Sequence, residues 1–118
     1  MRVEVRGKSF DIDLVNNYVH EQYSKLTEMS YDLVALADEV GNLQPGEIAA
    51  GVKRIRAESN AKKRELCEVR DDIVRELLES NGYEFDGDWW KRKTSPDDMN
   101  EFMVECVRRD SKGTVKKK

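Results

Sequence analysis

The side chains able to do chemistry are few and scattered. His20 is the only histidine, and beside Val19 on a helical pattern it reads as a boundary residue rather than a base. Acid–base or nucleophilic catalysis needs a nucleophile with a base, or paired carboxylates in a cleft. The two cysteines, Cys67 and Cys106, form no CxxC and fit reduced, half-buried thiols on helices. No thiol or imidazole cluster has zinc-ligand spacing. No glycine-rich loop precedes a helix with phosphate-binding spacing. Asp97-Asp98 has cation-binding chemistry, yet helix capping accounts for the pair. Asp86-Gly87-Asp88 resembles part of a calcium loop without its later ligands. The expectation is a protein with no catalytic residue, no metal site and no cofactor, acting by binding rather than by catalysis.

Binding chemistry has more candidates. Lys91-Arg92-Lys93 follows Trp89-Trp90 directly, and bases of single-stranded nucleic acid stack on aromatic rings. A formal net charge of -3 argues against general nucleic-acid binding, which needs many cations facing phosphates. The basic run Lys53, Arg54, Arg56, Lys62, Lys63, Arg64 is balanced by Asp13, Glu21, Glu28, Asp32, Asp38 and Glu39 further upstream. Two antiparallel helices carrying these residues would partly neutralise each other. On an extended segment Trp89 and Trp90 would point to opposite sides, one into the core and one to a surface or interface.

The elements that must position these residues follow from apolar spacing. Val3, Val5, Phe10 and Ile12 alternate with polar residues around Gly7-Lys8, which predicts a β-hairpin over residues 1–12 with a type II′ turn. Ile12, Val15, Val19, Gln22, Leu26, Met29, Leu33, Leu36 and Val40 recur at three and four residues, a helical seam from about Asp13 to Val40. Gly41-Asn42 supplies its stop. A second long helix is predicted from Pro45 to about Ser80, with a stripe Ile48, Val52, Ile55, Leu66, Val69, Ile73, Leu77. Its middle, Glu58 to Glu65, is polar and reads as a solvated arch or a local break. Gly82 suits the left-handed position that ends it. A connector follows, carrying Trp89 and Trp90. Ser95 as N-cap and Pro96 at the first helical position then open a third helix to about Arg109, whose apolar face is Met99, Phe102, Met103, Cys106 and Val107.

At 118 residues, with 38% charged and 38% hydrophobic, the chain predicts one mainly α domain over 1–110: an N-terminal hairpin, two long antiparallel helices and a shorter C-terminal helix. Residues 111–118 predict a flexible basic tail. The start MRVEVRGKSF lacks the apolar stretch of a secretory signal, and no apolar run reaches membrane-spanning length, so a cytoplasmic location is expected. The long seam exceeds what a broken second stripe can cover, so self-association into a homo-oligomer is expected.

The order of parts carries a resemblance. A hairpin of the type V-x-V-x-G-K-x-F-D-I over Val3 to Ile12, long helices, then Asp88-Trp89-Trp90 and a capped helix from Asp98 to Asp110 resemble the tail assembly chaperones of long-tailed bacteriophages, especially those of Gram-positive hosts. The likeness in layout runs along the whole chain, and the specific motifs cover about a third of it. The resemblance implies binding of the tape measure protein before the tail tube closes, in the host cytoplasm, with tail tube protein competing for it and no nucleotide involved. Trp89, Trp90, Phe102 and Met103, with Leu26, Met29 and Leu33 of the first seam, are the expected contacts, and Ser95, Pro96 and Gly82 the structural caps. The other readings are a coiled-coil adaptor or structural protein unrelated to phage, and a small nucleic-acid-associated protein.

Overall fold

The alternation at the N-terminus forms the hairpin. In the computed structural model, which describes residues 1–111, strand β1 (Arg2–Val5) pairs antiparallel with β2 (Lys8–Asp11), Val3 opposite Phe10 and Val5 opposite Lys8. That register puts Arg6-Gly7 in the turn, one residue earlier than Gly7-Lys8. Both have positive φ, 49° and 80°, as in a type I′ turn rather than type II′. The type I′ twist matches that of the strands, and glycine at its second position lowers the strain of the pair. Val3, Val5, Phe10 and Ile12 are buried, as period two requires.

Helix α1 spans Asn17–Gly41 and begins later than Asp13. Two side chains account for the delay. Asn81 Oδ1 accepts from the N–H groups of both Asp13 and Leu14 at 2.9 Å, holding them outside the helix. Asn16 then caps the helix, its Oδ1 accepting from the Val19 N–H at 3.0 Å. A 3-10 turn over Pro45–Glu47 leads into helix α2, Ile48–Glu79, which runs unbroken through the polar stretch at 58–65. Its end is a Schellman motif: Gly82 has φ 86°, Tyr83 N–H donates to Leu78 O at 2.9 Å, and Gly82 N–H to Glu79 O at 3.2 Å.

The connector contains a helix that spacing alone missed. Helix α3 covers Gly87–Lys93, capped by Asp86, whose carboxylate accepts from Trp89 N–H at 3.1 Å. Trp89 and Trp90 therefore sit on a helix and not on an extended segment. Helix α4, Pro96–Ser111, has the expected cap. Ser95 Oγ accepts from Asp98 N–H at 3.2 Å, and Asp98 Oδ2 accepts from Ser95 N–H at 2.8 Å, a reciprocal box. The fold is mainly α, an N-terminal hairpin followed by long helices and a shorter C-terminal one. The tail from Lys112 on lies outside the described residues.

The chain has two compact units, where one domain over 1–110 was the expectation. The first comprises Met1–Tyr23 and the chain from Arg70 onward; the second is Ser24–Val69. In the first, the hairpin face, the start of α1, the end of α2, α3 and α4 share a dense core that includes Ile12, Val19, Ile73, Leu77 and Phe102. In the second, the remaining stretches of α1 and α2 run antiparallel, as the pairing of Asp32 with Lys62 and of Glu39 with Arg54 requires.

Candidate functional site

The aromatic residues singled out by sequence converge in the first unit. Phe10 is their centre. Its ring stacks on Trp90 with centroids 6.0 Å apart, and meets Phe102 at 5.7 Å, Tyr83 at 5.2 Å and Trp89 at 6.4 Å in tilted or edge geometries. Edge and offset contacts of this kind are favoured by the ring quadrupoles. Trp90, Phe102 and Met103 are buried, Phe102 to 1% exposure, so these three close the core here. Trp89 is half-buried: its ring meets Trp90 edge-on at 5.1 Å, and the Lys8 ammonium lies 4.7 Å from its centroid. Phe10 and Tyr83 were missing from the candidates. Phe10 was legible as a core strand residue, but its neighbours are too distant in sequence to pair with it by spacing.

Polar ties surround this core. Arg6, in the hairpin turn, donates from Nε to Asp98 Oδ2 at 2.7 Å, joining the turn to the first turn of α4. That hydrogen bond, with those from Ser95, holds the Asp98 carboxyl below its ordinary value. Tyr18 donates its hydroxyl to Asp72, which pushes the phenol's pKa up. His20 Nε2 meets Asp110, the one buried charged residue among those described. The single histidine thus serves a structural contact. Burial pushes the Cys106 thiol up to about 12, whereas Cys67 is exposed. Among the described residues no three His, Cys, Asp or Glu side chains are grouped to hold a metal ion.

The basic cluster Lys91-Arg92-Lys93 fills the last turn of α3, where cations meet the negative end of the helix dipole, and Arg92 donates to Asp88 at 2.8 Å. With Trp90 buried, that ring offers no open face to a base. Arg75 sits over Phe85, 5.1 Å from its ring.

The second unit is the opposite of a closed core. Leu26 and Met29 are buried, but Leu33 and Leu36 are only half-covered. Farther along, Val40 is 40% exposed and Ile48 51%. Off the seam of α1, Val34 is 59% exposed and Tyr31 70%. One flank of this helix pair is laced by ions: Lys62 reaches Asp32 at 3.4 Å, and Arg54 joins both Glu39 and Glu58. Lys62, which interrupts the apolar stripe of α2, takes part in that lacing. No described helix is long and apolar enough to cross a membrane. No protein-family model, no curated protein and no solved structure matches the chain.

Proposed function

We propose that the protein holds a helical, apolar polypeptide in solution, and that this polypeptide is the tape measure protein of a long-tailed bacteriophage, bound before the tail tube assembles. The observation that carries the binding reading is the uncovered seam of the second unit: Leu33, Leu36, Val40 and Ile48 are arrayed along two antiparallel helices and flanked by charge. Such a groove suits an amphipathic helix laid along it, with apolar anchors at three- and four-residue spacing. Charged flanks keep the pair in solution while the apolar strip is shared with a client. The identity of the client rests on the resemblance in layout. Release then follows when tail tube subunits compete for the tape measure.

The contact surface shifts from the sequence expectation. Trp90, Phe102 and Met103 are core, which leaves Trp89 as the one tryptophan with an open side, and gives the main part to Leu33 and its neighbours. The test is co-expression with the tape measure protein encoded in the same gene cluster. Co-purification that is lost on Leu36→Asp and kept on Trp89→Ala supports the reading. A gene neighbourhood without a tape measure gene, or a tape measure that stays insoluble beside this chain, overturns it in favour of a coiled-coil adaptor.

A further inference from the structure

We infer that the second unit docks onto the second unit of another copy of this chain, through the flank that carries Val34, with the tips of both copies, the connections between α1 and α2 at residues 42–47, at the same end. The argument starts from which side of the helix pair is free. At about 100° per residue, Val34 lies roughly a third of a turn from the seam Leu26, Met29, Leu33, Leu36. Asp32 and Glu39 lie on the other side of that seam, where their partners Lys62 and Arg54 occupy them. Among the described residues no ion pair lies on the Val34 flank. Ala37 and the half-exposed Val52 lie on the same side, so this flank is the more apolar one.

Charge chooses the occupant. From Ser24 to Gly41 the first arm has four acids against Lys25, a net of -3. From Ile48 to Val69 the second arm has six bases against Glu58, Glu65 and Glu68, a net of +3. The pair is therefore self-complementary: another copy presents an acidic arm for the basic one and a basic arm for the acidic one. Two equal faces docked about a two-fold axis have two arrangements. With the axis across the helices, each arm meets its own copy, acid on acid and base on base, and the tips point to opposite ends. With the axis along the helices, α1 lies over the other copy's α2, unlike charges meet, neighbours are antiparallel, and the tips share an end. Only the second avoids setting -3 against -3 and +3 against +3. It yields a four-helix bundle, the ordinary way for two half-covered helices to close a core.

The inference rests on the proposed function only in that a client helix would displace the second copy. The tests contain no client, so a failure here leaves client binding standing. Light scattering on the full chain at micromolar concentration should give a dimer. Val34→Lys, which sets a cation against the basic arm of the other copy, should lower the dimer's affinity at least tenfold. Val34→Glu should leave it near wild type, and at a dilution where the chain is monomeric both should keep the wild-type melting temperature, because Val34 is exposed in the single chain. For the arrangement, a nitroxide is placed on Asn42→Cys in a Cys67→Ser background, Cys106 being buried. Pulsed dipolar spectroscopy should read about 20 Å or less between copies. An arm of this length spans about 30 Å at 1.5 Å per residue, so opposite ends would read about 30 Å or more. A monomer at every concentration, equal dimers from the lysine and glutamate variants, or the longer distance each overturns the inference.

Discussion

Trp89 and Trp90 adjoin in sequence and differ in physical role. Trp90 is stacked on Phe10, packed against Phe102 and buried, so Trp90→Ala should cost about 3–5 kcal/mol, as large-to-small changes in a packed core do. Trp89→Ala loses two edge contacts, with Trp90 and Phe10, and the Lys8 ammonium over its ring, and should cost about 1–2 kcal/mol. Urea melts of the two variants check the ordering; equal losses would mean the two rings share one environment. The two cysteines offer a second comparison. With its pKa pushed to about 12 by burial, Cys106 supplies almost no thiolate at neutral pH, and the thiolate is the nucleophile. An aromatic disulfide reagent should therefore titrate one thiol per native chain, Cys67, and two after unfolding. Two fast thiols in the native protein would show that Cys106 is open. Both cysteines fit half-buried helical sites by sequence. Which one the core covers depended on the helix's neighbours, and no residue near Cys106 in the chain names them.

At the scale of elements, the joints hold more information than the elements. The long helices and the hairpin were legible because their apolar periods persist over many residues. Helix α3 was not, since seven residues carry less than two turns of pattern, and its cap Asp86 resembled a turn signal. The late start of α1 was also hidden, because its cause, Asn81, lies 68 residues from Asp13. Asn81 does more than delay α1. Its side-chain amide also donates to Leu14 O at 2.9 Å and Leu77 O at 2.6 Å, so one side chain fastens the end of α2 to the entry of α1. Asn81→Ala removes these bonds and should lower stability by about 2 kcal/mol, measured by thermal melting; a neutral effect would show that water replaces the clip. The Arg6–Asp98 joint has a pH signature. Asp98's folded pKa is lowered from 3.8 by Arg6 first and Ser95 second. Its contribution is therefore complete above the ordinary carboxylate range and is lost as pH falls through 3.8 toward the lowered value. Wild type should lose stability over that acid window more steeply than Asp98→Asn. Parallel curves would show that the joint contributes nothing.

At the scale of the whole molecule, burial is unevenly shared, and this has a dynamic consequence. Among the described residues, sixteen of the twenty buried apolar side chains belong to the first unit, and only Leu26, Met29, Ile55 and Val69 to the second. The sequence carried a hint of this in Ser59 and Lys62, which interrupt the stripe of α2. It did not reveal that α2 stays continuous there, because a helix tolerates polar residues wherever the facing side chains can pair with them, as Asp32 does with Lys62. Helices in proteins owe most of their stability to packing of an apolar face, so a long helix need not be uniformly stable along its length. Amides of α2 beyond Arg70, around Ile73 to Leu78, should exchange with solvent only through global unfolding. Those between Val52 and Leu66 should exchange by local opening, at least a hundredfold faster. The contrast should also depend on concentration. If a second copy covers the second unit, raising the protein from low micromolar to several hundred micromolar should slow exchange between residues 24 and 69, by mass action on the dimer. Exchange in the first unit should not change. Hydrogen exchange read by mass spectrometry at two concentrations separates these effects. Uniform protection along α2 would refute the uneven burial as a source of dynamics. Concentration-independent exchange in the second unit would show that its apolar flank stays open to solvent at every concentration tested.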